Sequence, residues 1–210
     1  MMNLIKEQLV NLDYQSPTEL CEIMSHNKSD KSGTHNYTVV YNCLFKHLRE
    51  RPINIMECGM GSTNPNIFSN MGPEGRPGAS HYGWTEYFPN ANIYGCDIDK
   101  DIKINEGRIK TFFCDQTKPE TIKEMWDQLP QDFDIIIDDG WHVFPANKCF
   151  FENSFYKLKS GGIYIVEDMF CGNGPHYKKY FKDYGIKNCI VMQLPFRTAQ
   201  DNCLAIVFKD

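Results

Sequence analysis

The 210 residues contain no apolar run long enough to cross a bilayer, so no membrane-spanning helix is expected. Met1 to Leu12 carry charges and only scattered apolar residues, which argues against a signal peptide. There is no basic stripe. Lysine and arginine number 22 against 27 acidic residues, for a net charge of −5, and that disfavours a nucleic-acid partner. Nine cysteines are present, yet no two form a Cys-x-x-Cys pair. Cys58, Cys96, Cys114 and Cys203 fall in or beside strand-like runs. They read as small buried hydrophobes in a reducing cytoplasm, not as disulfides or zinc ligands. No internal repeat, low-complexity tract or linker is visible.

What is there is an ordinary globular composition, 41% hydrophobic, sufficient for one domain with a sizeable core. Residues 1–51 read as a helical segment packing on that core. Ile5, Leu9 and Leu12 share a helical face, as do Leu20, Ile23 and Met24, and then Tyr41, Leu44 and Leu48. Ser25–Tyr37, rich in polar residues, reads as a loop. From Pro52 to residue 210 the pattern alternates. Strands are expected at Ile53–Cys58, Asn92–Asp97, Ile109–Cys114, Phe133–Asp138, Ile163–Glu167, Asn188–Gln193 and Asn202–Phe208. The segments between have helical spacing. Thr117 and Glu120 resemble a capping box before Ile122, Met125, Trp126 and Leu129. Phe151, Phe155 and Leu158 form another stripe, ended by Gly161-Gly162. This order predicts an α/β fold, a seven-stranded and mostly parallel sheet with helices on both faces. The short Leu194–Asp201 connection makes the last strand antiparallel. Gly59–Ala79 is a long glycine- and proline-rich loop of the kind that is functional or disordered.

Acidic residues gather where these strands end. Phe133-Asp-Ile-Ile-Ile-Asp-Asp-Gly-Trp-His142 places Asp138, Asp139 and His142 at one end. Gly161-Gly-Ile-Tyr-Ile-Val-Glu-Asp-Met169 places Glu167 and Asp168 at another. Ligands of open α/β sheets bind outside the carboxyl ends of strands. Carboxylates gathered there repel one another unless a cation holds them. Asp139, Glu167 and Asp168 are therefore candidate ligands for a hard divalent metal, Mg²⁺, Mn²⁺ or Ca²⁺ rather than zinc. His142 stands three residues past Asp139, where a general base is useful.

Three further strand ends suit an adenosine-containing cofactor. Ile55-Met-Glu-Cys-Gly-Met-Gly61 is a glycine turn. Position 64 is Asn, so it is not a dinucleotide fingerprint, and a plain tight turn is the alternative. Tyr94-Gly-Cys-Asp-Ile-Asp99 offers Asp97 to a ribose, while Asp99 fits a helix cap equally well. Phe112-Phe-Cys-Asp-Gln116 offers Asp115 or Gln116 to an adenine amino group. An ordinary loop residue is the alternative there.

The order of these pieces resembles class I S-adenosylmethionine-dependent methyltransferases. More narrowly it resembles the metal-dependent sugar O-methyltransferases, macrolide sugar and cephalosporin-hydroxylase-like members included. Ser29-Asp-Lys-Ser-Gly-Thr-His-Asn-Tyr-Thr38, Pro77-Gly-Ala-Ser80 and Trp84 with Tyr87-Phe-Pro-Asn-Ala91 add to it. The resemblance implies a Rossmann-like fold. It implies that Glu57, Gly59 and Gly61 line the methionine part of the cofactor, Asp97 the ribose, and Asp115 and Gln116 the adenine. Asp138, Tyr37, Thr38 and Ser80 are further cofactor contacts. Mg²⁺ would lie on Asp139, Glu167 and Asp168, with His142 as base. Trp141 departs from the small residue common at that place. The implied acceptor is a small molecule or carbohydrate, namely a nucleotide sugar, a polysaccharide or a glycoside. A homodimer is expected because the N-terminal helices carry more apolar surface than a sheet cap needs. The rivals are a nicotinamide-dependent oxidoreductase and a non-catalytic cofactor-binding protein.

Overall fold

A computed structural model describes residues 2–129, 131–195, 197 and 199–210. Met1, Pro130, Phe196 and Thr198 lie outside the described residues, the last two within the expected Leu194–Asp201 connection. The chain opens with α1 (Met2–Val10), α2 (Glu19–His26), a 3₁₀ turn at Asp30–Ser32 and α3 (Tyr37–Phe45). Then follow β1 (Asn54–Cys58), α4 (Ala79–Tyr87), β2 (Asn92–Asp97), β3 (Asn105–Glu106), β4 (Ile109–Phe113), α5 (Pro119–Asp127) and β5 (Phe133–Asp138). The rest is α6 (Phe144–Ser154), β6 (Leu158–Val166), α7 (Gly174–Asp183), β7 (Cys189–Gln193) and β8 (Cys203–Phe208).

The sheet has eight strands in the order β3-β4-β2-β1-β5-β6-β8-β7, one more than expected. The extra strand, β3, is two residues long and pairs antiparallel with β4, too short to show any alternation. β1, β2, β4, β5 and β6 run parallel, and β8 runs antiparallel between β6 and β7. Successive strand side chains point to opposite faces. Ile55, Ile137 and Ile165 therefore pack under α1 to α4, and Met56, Ile136 and Tyr164 pack under α5 to α7. The N-terminal helices share one core with the sheet through Leu9, Leu20, Met24, Tyr41 and Phe45.

Two local expectations fail. No capping box forms. Lys118 is the N-cap of α5 without a side-chain bond, and the Thr117 hydroxyl turns back to Asp115. The Phe151 stripe ends before Gly161. Leu158 already begins β6, and Gly161-Gly162 lie inside that strand, where Gly161 takes a positive φ and its N–H bonds the Lys209 carbonyl. Among the described residues no helix is long and apolar enough to cross a membrane.

Candidate active site

The parallel strands all end on one edge, and the backbone ladder continues past them. Gly59 N–H bonds the Cys96 carbonyl at 2.8 Å, Asp139 N–H bonds Cys58 at 2.8 Å, and Glu167 N–H bonds Asp138 at 2.9 Å. The first residue after each strand is thus still held by its neighbour. Gly59 sits at φ +92°, and a Cβ there would lie 1.9 Å from the Asp139 carbonyl oxygen. Only glycine lets β1 and β5 end this close together.

A cleft of about 790 Å³ opens over this edge, a size suited to a cofactor. Gly59, Gly61, Ser80, Asp97, Asp115, Gln116, Asp139, His142 and Asp168 line it. The Gly59–Ala79 loop forms one wall through Asn66 to Met71, and Trp141 and Phe68 stand exposed at its rim. The loop is pinned to the glycine turn by Met71 N–H to Ser62 at 2.8 Å and Gly78 N–H to Met60 at 2.7 Å.

Asp97 accepts the backbone N–H of Met60 at 2.7 Å and of Asp99 at 2.8 Å, so it shapes the glycine turn as well as facing the cleft. Burial raises its pKa above the usual carboxylate range. Asp115 accepts from Thr117 and pairs with Lys118 at 3.0 Å. The amide of Gln116 is already used. It donates to Asp138 at 2.9 Å and accepts from Trp141 N–H at 2.5 Å, tying β4 to β5.

Five expected residues do not line the cleft. Asp138 is fully buried, bonded by Gln116 and by Asn147 at 3.0 Å, and burial pushes it up to about 6. Glu57 lies beneath the glycine turn, where Ser80 and Trp84 donate to it. Thr38 faces a smaller hollow among the N-terminal helices and meets Cys21 Sγ at 3.1 Å. Tyr37 is buried, its hydroxyl 2.6 Å from Asp168 Oδ1. Glu167 is 1% exposed, with Tyr41 donating to Oε1 at 2.5 Å and Lys31 to Oε2 at 2.6 Å.

One group of possible metal ligands stands out among the described residues. Asp139, His142 and Asp168 each offer an atom within 4.8 Å of the others. Glu167 is outside this set, its two oxygens taken by Tyr41 and Lys31, and His142 is inside it. His142 Nε2 is buried without a hydrogen-bond partner, 3.3 Å from Asp139 Oδ1. Two carboxylates and an imidazole suit a divalent cation, and the orphaned nitrogen leaves a polar position for it or for an acceptor. His142 and Asp168 both have positive φ, +56° and +50°, a strain that clusters at functional sites.

Burial alone would lower the His142 pKa. The close approach and charge of Asp139, 3.3 Å away, with the charge of Asp168, overcome it and raise the ring to about 10. Asp139 moves the other way. Burial opposes ionisation, but Lys31 and His142 hold it well below the carboxylate range.

Lys31 lies within the Ser29–Thr38 motif, where the sequence alone assigns it no role. It comes from the 3₁₀ turn, is 1% exposed, and reaches Asp139 at 2.6 Å, Glu167 at 2.6 Å and Glu57 at 3.3 Å. Tyr41 was visible only as an apolar helix position. Its hydroxyl, one turn from that of Tyr37, was the available signal for a polar role.

The strand order, the cleft at the carboxyl edge and the glycine turn are those of the class I methyltransferase fold. The homologues of the chain are sugar O-methyltransferases of tetracenomycin and macrolide pathways. The 8-demethyl-8-alpha-L-rhamnosyl tetracenomycin-C 2'-O-methyltransferase of Streptomyces olivaceus is 28% identical over 179 residues, 85% of this chain and 45% of its own length. The 8-demethyl-8-(2-methoxy-alpha-L-rhamnosyl)-tetracenomycin-C 3'-O-methyltransferase of the same organism is 32% identical over 171 residues, 80% of this chain and 41% of its own. Mycinamicin VI 2''-O-methyltransferase of Micromonospora griseorubida is 30% identical over 160 residues, 76% of this chain and 38% of its own. The chain thus spans less than half the length of these relatives. Among solved structures, the mycinamycin-pathway methyltransferase MycE in complex with Mg, SAH and mycinamycin VI superposes with a TM-score of 0.71 at 26% identity, over 93% of this chain and 55% of that one. No protein-family model matches.

Proposed function

We propose that the chain is a metal-dependent S-adenosylmethionine O-methyltransferase acting on a sugar hydroxyl. The observation that carries this reading is the convergence of Asp139, His142 and Asp168 within 4.8 Å, in the same cleft as the glycine turn and Asp97. Gly59, Gly61 and Ser80 would face the methionine part of the cofactor, Asp97 the ribose and Asp115 the adenine. Gln116 and Asp138 would brace the adenine side from behind. Glu57 and Tyr37 would act through the residues they hold, and Thr38 through the helix it anchors. Asp139 and Asp168 would hold Mg²⁺ or Mn²⁺. Glu167 enters as the buried partner of Lys31.

When bound, S-adenosylmethionine supplies the methyl group, and the metal supplies Lewis-acid polarisation of the acceptor hydroxyl. The residues do the rest. Asp139 and Asp168 orient the acceptor side of the cleft toward the glycine turn. His142 is kept protonated by Asp139 and Asp168, and with those carboxylates on a cation it would be free to lose that proton. Its neutral ring can then accept the hydroxyl proton at Nε2. Phe68 and Trp141 at the rim suit a sugar carried on an apolar small molecule more than a nucleotide sugar or a polysaccharide. The reading includes a cytoplasmic setting and no nucleic-acid or membrane partner. It also includes a homodimer built on the N-terminal helices, where Leu4 and Val10 stand exposed.

The test is methyl transfer from S-adenosylmethionine to a set of rhamnosylated and other glycosylated small molecules, read by mass spectrometry. EDTA should abolish transfer, and Mg²⁺ or Mn²⁺ should restore it. His142→Ala should lower kcat by about 10²–10⁴-fold with little change in SAH affinity. Turnover that survives full chelation would overturn the metal assignment. Tight nicotinamide binding without SAH binding would overturn the cofactor assignment.

A further inference from the structure

We infer that Lys31 is a resident counter-cation of the carboxylate cluster, so that the site stands assembled before any metal arrives. The ammonium has three N–H donors and no acceptor. It faces three carboxylates from three different elements: Glu57 of β1, Asp139 after β5 and Glu167 after β6. Its side chain is 1% exposed, and those of Glu57 and Glu167 are 0% and 1% exposed. Buried carboxylates without a partner are among the costliest groups a fold can carry. Here each has one: the ammonium donates to Asp139 and Glu167 at 2.6 Å and lies 3.3 Å from Glu57 Oε1.

The lysine is placed with care. Ser29 Oγ accepts the Lys31 N–H at 3.4 Å, Ser29 N–H bonds the Met24 carbonyl at 2.9 Å, and His35 N–H bonds the Asp30 carbonyl at 3.0 Å. The turn is thereby fixed to the end of α2. Lys31 also borders the cleft, on the Asp139 side of the Asp139–His142–Asp168 group. Lys31 pairs with Oδ2 of Asp139, while Oδ1 is the oxygen beside His142 Nε2, so a cation held by that group would answer the same negative charge as the Lys31 ammonium. Lys31 is therefore a positioning residue. It keeps Asp139 and Glu167 in place in the metal-free protein and leaves Asp139 Oδ1 and Asp168 toward the cleft.

The metal part of this inference rests on the proposed metal dependence, and the charge part does not, so the test separates them. Thermal melting in EDTA would compare the wild type, Lys31→Met and the charge-balanced pair Lys31→Met with Glu167→Gln. Lys31→Met should melt about 10 °C lower, the effect of stripping a buried ion group of its cation. The double variant should recover at least half of that loss. Millimolar Mg²⁺ should raise the melting temperature of Lys31→Met by several degrees more than that of the wild type. If Lys31→Met is obtained folded only with metal present, the result is the same in stronger form. A double variant as unstable as Lys31→Met would show that the methylenes matter and the charge does not, and would overturn the inference. So would an unaltered melting temperature for Lys31→Met. Calorimetry with Mg²⁺ alone on the wild type reports separately on the metal assignment. If no metal binds, that assignment fails while the comparison in EDTA still decides the role of Lys31.

Discussion

At the scale of single residues, His142 is where backbone strain, charge and exposure meet. Its positive φ aims the ring back between Asp139 and Asp168, and those two carboxylates hold its proton. The native ring, at about 10, binds a proton more tightly than an ordinary histidine at 6.5. The stability this gives is complete below pH 6.5 and is lost as the pH rises toward 10. Asp138 and Asp168, pushed up to about 6 mainly by burial, titrate below that window. Free thiols begin to ionise only above about pH 8. Between pH 6.5 and 8 in EDTA, the melting temperature should therefore fall with pH. His142→Ala should flatten that slope. Equal slopes in the two proteins would mean that the ring is not held protonated by its neighbours.

Elements position these residues through backbone, and β1 against β5 is the critical pair. The ladder bond from Asp139 N–H to the Cys58 carbonyl needs the two chains to stay close beyond the strand ends. Gly59→Ala would put a methyl into the Asp139 carbonyl at a positive φ. It should cost more than about 2 kcal/mol in a urea titration, since strain and a backbone clash act together. A loss below 1 kcal/mol would show that the two strand ends can part at little cost. Elements were also what the sequence displayed best. β2 and β5 match their expected bounds, because an apolar run closed by an acidic residue marks both ends of a buried strand. β6 starts five residues early at Leu158, since Gly161-Gly162 imitates a helix stop when it is only a loosened strand entry.

For the whole molecule, the parts that chemistry requires were legible and the parts that support them were not. Asp139, His142 and Asp168 show themselves because polar residues after buried strands have few other reasons to be there. Lys31 sits in a polar loop where one more lysine carries no periodic signal, and its partners lie 108 and 136 residues away. Tyr41 hides inside an apolar helix face, and Tyr37, expected at the cofactor, bonds Asp168 instead. The first 51 residues are thus part of the site as well as a cover for the sheet. A chain starting at Pro52 should lose Lys31, both tyrosines and the Leu20–Phe45 share of the core together. It should give no cooperative melting transition and no SAH binding by calorimetry. A folded, SAH-binding fragment would contradict this.

The wide separation of Lys31 from its partners has a consequence for synthesis. Chains are made at roughly 5–20 residues per second, so about ten seconds pass between the emergence of Lys31 and that of Glu167. During that time α1 to α3 have no sheet edge from β5 and β6 to close against. The lysine lacks two of its three carboxylates and stays a solvated, harmless surface cation. Glu57 follows soon after it, while Asp139 and Glu167 arrive last, into a pocket whose counter-charge is already waiting. A ribosome-bound chain stalled before residue 139 should therefore hold its N-terminal helices loosely, open to protease between α2 and α3. The same segment should resist cleavage once β6 has been released.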